Sequence, residues 1–392
     1  MAISHTEYND RTTATEVANA FAGKIQGRNV AITGVGPDSL GEALALAIGR
    51  HQPANLILAS RTEIKVNKVV TKVLKETPGL QIHVIALNLA SQHSIKLAAS
   101  KIQGLVDRID ILINNAGMMT LERESTEEGI EIQFGTNHVG HFLFTNLLIS
   151  QLKNAAKVSN PGSTRIINVT SAGHRLSPIR FHDYNFAGKE VPLDERPPDN
   201  LPSMFNSTSN GYNGWLAYGQ SKAANILFTV HLTNRLKSAG IISYSVHPGS
   251  IRTGLSRSLD DIGNETMSKT SNVWKSLDQG AATMLVAAFD PALSVISDPS
   301  DIYLSDCQLA QPAPHVLKED TAERLFQLSE ELIRFIGSSD EILHDSKIAR
   351  LENDQFKVFH RDRIGDKMKG LSARVGGISD IQILLDGVNL QW

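Results

Sequence analysis

The sequence of 392 residues predicts a doubly wound α/β domain, in which helices cover both faces of a parallel sheet. Short β-rich runs alternate with helical runs at short intervals, which is typical of a parallel sheet. Turns rich in glycine or polar residues follow these β-rich runs. Ligands of such sheets bind beyond the carboxyl ends of the strands, so these turns are the expected location of a functional site.

The first half of the chain predicts four strands, at residues 28–33, 55–59, 81–87 and 109–113. A polar lead-in over residues 1–24 precedes them, with a short helix at 15–22. Helices are predicted at 42–50, from the second strand to about residue 76, and at 91–106, because alanine, leucine and amphipathic spacing favour them there. The main domain is therefore expected to begin at residue 25.

The second half predicts a long helix through Leu152, strands at 165–170 and 241–246, and a helix at 215–236. Residues 172–214 carry five prolines and few aliphatic residues, which indicates a lid-like insertion. Helices at 277–289 and 321–336 and a short strand at 302–304 complete a domain that is expected to end at residue 336. The extension 337–392 predicts amphipathic helices and an apolar strand-like run, with no assigned role.

Composition excludes several classes of protein. A net charge of −3 gives no general attraction to nucleic acid or to acidic membranes. The single cysteine, Cys307, excludes an internal disulfide framework. The N-terminus has no apolar signal segment, and the longest apolar run, 142–149, is too short to span a bilayer. We expect a cytoplasmic protein without a membrane span and, because the histidines lack ligand spacing, without a metal.

A glycine turn after the first strand predicts a dinucleotide site. Small residues there let backbone amides approach a pyrophosphate, and the following helix N-terminus adds positive potential. The glycines at 34, 36 and 41 do not match G-x-G-x-x-G, so a tight turn without ligand remains the alternative. After the second strand, Ser60, Arg61 and Lys65 offer donors for a 2′-phosphate, which favours NADP over NAD. The alternative for Arg61 is an exposed residue at a helix start.

Tyr218 and Lys222 are four residues apart in the predicted helix 215–236, so their side chains share one face. An ammonium about 4 Å from a phenol favours phenolate by roughly 4 kcal/mol in a half-buried site but only about 1 kcal/mol in water. The pair is therefore a proton donor only inside a cleft. An exposed tyrosine beside a solvated lysine is the alternative.

The ordered set of these motifs resembles the short-chain dehydrogenase/reductase family over roughly residues 25–336. Several phrases, such as Ser171-Ala-Gly-His174, are most similar to its retinol-dehydrogenase-like and fungal secondary-metabolite branches. The resemblance implies a Rossmann fold and an NADP(H) cofactor. It also implies that Tyr218 is the general acid or base, that Lys222 lowers its pKa and holds the ribose, and that Ser171 binds the substrate oxygen. Asn137 would order a water for proton resupply.

The resemblance and the turn chemistry together define the expected cofactor contacts. Besides Tyr218 and Lys222, these are Thr33, Gly34, Ser39, Leu40, Gly41, Ser60, Arg61, Asn88, Leu89, Asn115, Ala116, Gly117, Pro248, Gly249, Ile251 and Thr253.

Four features depart from the family pattern. The glycine turn is one residue longer than T-G-x-x-x-G-x-G, with Ser39 at its middle glycine. Asn88 replaces the usual aspartate, and 47 residues separate Ser171 from Tyr218. The family pattern also stops near Ile336. None of these departures removes a catalytic group.

The expected function is an NADP(H)-dependent reduction of a small ketone or aldehyde, or oxidation of the matching alcohol, with a role in secondary metabolism. Two alternatives stay open: a non-catalytic NADP-binding scaffold, and an isomerase or dehydratase that reuses the tyrosine. A homodimer is expected from the family, in which the helices carrying Asn137 and Tyr218 often pair subunits. The substrate and the direction of reaction in vivo have no readable code in the sequence.

Overall fold

A single mixed sheet organises the computed structural model, which describes residues 3–296, 298 and 300–334. In this part of the chain the strands are β1 (Asn29–Thr33), β2 (Asn55–Ser60), β3 (Ile82–Ala86), β4 (Ile111–Asn114), β5 (Thr164–Val169), β6 (Ile241–His247), β7 (Tyr303–Ser305) and β8 (Gln308–Leu309).

The strand order is β3-β2-β1-β4-β5-β6-β7-β8, and every neighbouring pair is parallel except β7 with β8. The order reverses between β1 and β4, which opens a crevice at the carboxyl ends of these two strands. Register places the ends side by side: Thr33 pairs with Ala59, and Asn114 with Asn168. The predicted doubly wound sheet is confirmed, and its antiparallel edge strand β8 is an addition that the sequence did not indicate.

Helices cover both faces of the sheet, and most begin and end within a few residues of their predicted bounds. They are α1 (Ala14–Ala20), α2 (Ala22–Ile25), α3 (Leu40–Gly49), α4 (Glu63–Glu76), α5 (Gln92–Leu105), α6 (Ile132–Phe134), α7 (Gly140–Leu147), α8 (Ile149–Lys157), α9 (Gly214–Leu236), α10 (Asp261–Ser268), α11 (Leu277–Phe289) and α12 (Glu319–Arg334).

The helix predicted to run unbroken through Leu152 is three helices with a π-helical turn between the first two. The turn spans Gly135–Val139, and the Gly140 amide closes it on the Gly135 carbonyl. A second break falls at Leu148, between α7 and α8. Apolar spacing does not reveal either break, because one extra residue in a turn leaves the composition unchanged. The π turn carries Asn137, and such turns often occur at functional sites.

Residues 3–24 pack on the sheet domain, although the sequence analysis placed this segment outside it. Thr13 and Glu16 form a reciprocal capping box at the start of α1. Val17 and Phe21 are buried in the same core as α3 and α11. The larger of the chain's two compact units, Met1–Ile336, contains all the described residues. The extension 337–392 lies outside them.

The insertion 172–214 is irregular, but buried polar groups anchor it. Glu131 is 2% exposed and accepts a 2.7 Å hydrogen bond from the Tyr212 hydroxyl. The Asn185 side chain accepts a bond from the Glu131 amide. Burial raises the pKa of Glu131. These contacts hold both parts of the insertion against the start of α6.

Two statements, on membrane-spanning helices and on metal sites, hold for the described residues alone. None of their helices is long and apolar enough to cross a bilayer. No group of three histidine, cysteine or acidic side chains among them could hold a metal ion.

Candidate active site

A groove follows the carboxyl ends of the central strands, from the end of β2 to the Tyr218 side chain. Fourteen of the residues expected to touch a cofactor line it: Gly34, Ser39, Leu40, Ser60, Arg61, Asn88, Leu89, Asn115, Ala116, Gly117, Tyr218, Lys222, Pro248 and Thr253.

The glycine turn brings backbone to the floor of this groove. Gly34 has φ of 76°, and a Cβ on it would lie 2.6 Å from the Ala116 Cα, so no other residue fits. Ser39 caps α3 by accepting a bond from the Glu42 amide, and its hydroxyl donates to the Gly36 carbonyl at 2.7 Å. The serine at the family's middle glycine therefore closes the longer turn and leaves the helix N-terminus facing the groove.

Two expected contacts support the floor from behind rather than lining it. Thr33 is 1% exposed, and its hydroxyl accepts bonds from the Asn115 and Ala116 amides, both at 3.0 Å. Gly41 is buried against the Gly34 carbonyl. Thr33 and Gly41 therefore do not line the groove in this structure.

Cationic side chains mark the β2 end of the groove. Arg61 and Lys65 are both exposed, and neither has an ion-pair or hydrogen-bond partner among the described residues. Asn88 lines the same end, and its side-chain carbonyl already accepts a bond from the Ala90 amide at 3.2 Å. Its second lone pair is left for a ligand.

Tyr218, Ser171 and Lys222 meet at the other end, although 47 residues of chain separate the first two. The Ser171 and Tyr218 side chains share a hydrogen bond, and the Ser171 hydroxyl also accepts from the Gly173 amide at 3.1 Å. The Lys222 Nζ donates to the Val169 carbonyl at 3.2 Å and lies 5.7 Å from the centre of the Tyr218 ring. The cleft that the pair needs is therefore present.

Burial dominates the ionisation of both groups. Burial raises the pKa of Tyr218 to about 12, with the Ser171 hydrogen bond acting in the opposite direction. Burial also lowers the pKa of Lys222 to about 8. The family resemblance implied that Lys222 lowers the pKa of the tyrosine. That role stays a prediction, since the net pKa in this structure is set chiefly by desolvation of the phenolate. At neutral pH Tyr218 is a protonated donor.

Asn137 lies in the π turn with its side chain fully engaged. Its carbonyl oxygen accepts from the Met118 amide at 2.8 Å, and its amide donates to the Met118 carbonyl and to the Ser221 hydroxyl at 2.9 Å. The role expected from the family was to order a water. That role stays a prediction, and in this structure the side chain ties the turn after β4 to α9.

The segment after β6 divides the remaining expected contacts. Pro248 and Thr253 line the groove. Gly249 packs against Lys275, since a Cβ on it would lie 2.7 Å from the lysine Cδ, and Ile251 forms a backbone bridge with Lys275. Gly249 and Ile251 therefore do not border the groove but shape the loop that does.

Several groove residues had escaped the sequence analysis, among them Asp38, Met118, Glu124, Leu255 and Arg257. Asp38 sits inside the glycine turn itself, with φ of 56°, and the added length of that turn was the available signal. The others come from loops without a readable pattern, so only the folded chain brings them to the groove.

A small apolar cluster encloses the Tyr218 ring on the side away from the glycine turn. Its buried members come from the β4 turn, from α9 and from the segment before α10: Met119, Trp215, Tyr218 and Leu259. The partly buried side chains packed on them are also apolar: Leu121, Leu176, Phe205, Leu255 and Met267. This apolar surface beside Tyr218 would suit an apolar molecule.

The groove fits a dinucleotide. A Cβ on Gly117 would lie 3.3 Å from the Lys222 Nζ and 3.6 Å from the Asn137 Oδ1, so glycine leaves room for a sugar beside the ammonium. The N-terminus of the ten-residue helix α3 faces the same groove and supplies amides for a pyrophosphate. Donors at both ends and small residues at the centre match the shape and charge of such a ligand.

Comparison with known proteins agrees with this geometry. The family model for short chain dehydrogenases matches residues 28–187. Oxidoreductase fscI of Fusarium equiseti is 38% identical over 245 residues, which are 62% of this chain and 94% of that protein. Human retinol dehydrogenase 13 is 33% identical over 311 residues, 79% of this chain and 85% of its own length.

A crystal structure of an uncharacterized protein from Mycobacterium paratuberculosis has the same fold. Its TM-score is 0.55 at 28% identity, covering 79% of this chain and 94% of that one. The strand order, the Ser171, Tyr218 and Lys222 constellation and these relatives agree. The chain belongs to the short-chain dehydrogenase/reductase family, in its retinol-dehydrogenase-like branch.

Proposed function

We propose that this oxidoreductase uses NADP(H) to reduce a ketone or aldehyde of an apolar small molecule, or to oxidise the matching alcohol. One observation carries the proposal: Ser171 interacts with Tyr218 beside Lys222, and Tyr218 and Lys222 line one end of a groove whose other end presents Arg61. A proton donor, an oxyanion partner and a phosphate-binding cation are thus aligned along one dinucleotide-length site.

The chain's own residues have separate tasks. The cofactor supplies or accepts the hydride. The Tyr218 hydroxyl gives its proton to the substrate oxygen in reduction and takes it back in oxidation, which is worth about 10²–10⁴ in rate. Ser171 donates a second hydrogen bond to the same oxygen as negative charge develops on it. Lys222 is buried beside the position that Gly117 keeps open, where its ammonium can hold a ribose hydroxyl.

The preference for NADP over NAD rests on the end of β2. Ser60 is the last residue of that strand and Arg61 follows it directly, where an acidic residue would instead bind both ribose hydroxyls. Lys65 lies one helical turn further and lines the same groove. A dianionic 2′-phosphate would give the two cations a partner that the described protein residues do not provide.

The apolar cluster around Tyr218 supports an apolar substrate. Its side chains offer area for hydrophobic burial beside the Tyr218 ring. The name retinol dehydrogenase, carried by several relatives, specifies an apolar alcohol for those proteins. For this chain we propose an apolar carbonyl compound without assigning one.

The expected homodimer meets an obstacle at α9. Helix α12 packs along it, with Phe326 stacked on His231 at 3.9 Å and in edge contact with Phe142 at 5.2 Å. We therefore place any subunit contact on a face that α12 does not cover, and light scattering after gel filtration measures the assembly.

Cytoplasmic location and a role in secondary metabolism are proposals from the sequence, testable by imaging and by metabolite profiling of a deletion strain.

Fluorescence titration with NADPH and NADH tests the cofactor. Wild-type protein should bind NADPH more tightly, and Arg61→Ala should weaken NADPH about tenfold while leaving NADH unchanged. Lys68→Ala, an exposed lysine on α4 away from the groove, is the matched control. Absence of binding to either nucleotide would refute the proposal.

A panel of apolar ketones and aldehydes with NADPH then tests the reaction, with Tyr218→Phe as the inactive control. NADPH binding without turnover across the panel would favour the scaffold alternative. Product formation without net NADPH consumption would favour an isomerase or dehydratase.

A further inference from the structure

Two buried side chains, His141 and Thr33, and the backbone carbonyl of Asn137 form a hydrogen-bonded bridge beneath the groove. His141 is the second residue of α7, and its ring contacts two different elements. Its Nδ1 lies 3.1 Å from the Asn137 carbonyl oxygen in the π turn, and its Nε2 lies 2.9 Å from the Thr33 hydroxyl at the end of β1. His141, Thr33 and Asn137 are 2%, 1% and 0% exposed, so no solvent competes for these bonds.

The hydrogen-bond partners fix the direction of every bond in this bridge. A carbonyl oxygen only accepts, so Nδ1 of His141 carries the proton and donates to Asn137. Nε2 must then accept from the Thr33 hydroxyl. The two remaining lone pairs of that hydroxyl accept from the Asn115 and Ala116 amides. Neutral His141 therefore uses one ring nitrogen as donor and the other as acceptor, and an imidazolium would place two hydrogens between His141 and Thr33.

The bridge joins the two halves of the site. Its Thr33 end fixes the turn of residues 115–117, which lines the groove. Its Asn137 end is the backbone carbonyl, and the side-chain amide of the same residue donates to the Ser221 hydroxyl, which donates to the Tyr218 carbonyl at 2.8 Å. These contacts connect the turn of residues 115–117 with the helix that carries Tyr218.

We infer that His141 is a positioning residue, which as a neutral Nδ1–H tautomer holds the cofactor-binding turn and the Tyr218 helix in one fixed arrangement. The inference rests on the proposed function for its consequences in binding and turnover. The bonding pattern itself is independent of any ligand. Burial and the nearby Lys222 charge, which lower the pKa of His141 to about 4, agree with a neutral ring.

His138 provides a matched control on the same stretch of chain. It is 1% exposed and also neutral, since burial lowers its pKa to about 3. Its Nε2, however, lies 2.8 Å from the Ser329 hydroxyl on α12, away from the groove. Replacing either histidine by phenylalanine removes a buried imidazole, but only the change at 141 cuts the bridge.

The first measurement is the ¹⁵N spectrum of the histidine rings in the full chain at pH 7, without nucleotide. His141→Phe identifies the His141 signal, which should have the shifts of the neutral Nδ1–H tautomer. The Nε2–H tautomer or an imidazolium at that signal would overturn the inference.

The second measurement compares stability, NADPH Kd and kcat of His141→Phe, Thr33→Val, the double variant, and His138→Phe. Each bridge variant should raise the NADPH Kd about tenfold and lower kcat, with the double variant no worse than either single. Thr33→Ser and His141→Gln should restore much of the loss, because both keep a donor and an acceptor. His138→Phe should lower the melting temperature and leave Kd and kcat unchanged.

Two results would overturn the inference: a His141→Phe protein that loses only stability, as His138→Phe does, or full additivity of the Thr33 and His141 effects. Failure of the proposed function is a separate result. In that case the wild-type protein binds no NADPH. The His141 tautomer in the ¹⁵N spectrum, and the coupling between the effects of Thr33→Val and His141→Phe on the free energy of unfolding, still test the bridge.

Discussion

NADPH binding should weaken as the pH rises through about 8, because Lys222 loses its charge there. Burial lowers the pKa of this ammonium to about 8, and the Val169 carbonyl that it contacts at 3.2 Å carries no charge to offset the desolvation. About ten in eleven Lys222 side chains are protonated at pH 7, and about one in eleven at pH 9. Only the ammonium attracts the pyrophosphate and ribose hydroxyls, so the Kd should rise about tenfold between these two values.

The assay is a fluorescence titration with NADPH from pH 6.5 to 9.5 at constant ionic strength. Lys222→Arg should bind with a level profile, because a guanidinium stays charged over this range. Lys222→Met should bind weakly and also with a level profile. Tyr218→Phe should keep the wild-type slope, since burial places the pKa of Tyr218 at about 12. A level wild-type profile, or a slope that survives in Lys222→Met, would refute the assignment to Lys222.

Three further predictions concern Tyr218, Asp38 and Arg165. The rate of alcohol oxidation should rise by up to about tenfold per pH unit from pH 6 to 7.5, whereas the rate of reduction should stay level. Burial raises the pKa of Tyr218, so little of the phenolate base is present in this range. Steady-state kinetics in both directions measure this, and a level oxidation profile would contradict it. Asp38→Asn should tighten NADPH binding about threefold at low salt, because it removes a negative charge from the groove lining and because asparagine tolerates φ of 56°. The gain in affinity should fade near about 0.5 M salt. The control Asp107→Asn, at an exposed position, should show no gain. Arg165→Met should lower the free energy of unfolding by about 3 kcal/mol, because this side chain is 2% exposed and donates to three backbone carbonyls that would be left unpaired. Urea denaturation measures the change, and a loss below about 1 kcal/mol would argue against the prediction.

Local sequence patterns determined the framework of this protein. The β-rich runs placed seven of the strands found in the described part of the chain, because each run is short, apolar and bounded by turn residues. The spacing of Tyr218 and Lys222 set them on one face of α9, since four residues make about one helical turn. The residues at the strand ends followed from the geometry of parallel sheets, in which these ends share one edge.

Patterns of this kind fail where a partner from a distant segment decides the outcome. The π turn at Asn137 and the break at Leu148 leave no mark in the apolar spacing. Strand β8 is two residues long, too short for any period to show. The lead-in before residue 25 looked polar, yet its few apolar residues, such as Val17, are those that pack on the core.

Only the tertiary structure decided how the site works. Ser171 reaches Tyr218 because the insertion of residues 172–214 loops out between two neighbouring elements, and no local feature fixes that distance. Gly249 and Ile251 proved to support a loop instead of lining the groove. The net pKa of Tyr218 shifts upward because burial is the largest influence on it. Desolvation depends on everything packed around the ring, whereas the sequence displays only the residue four positions away.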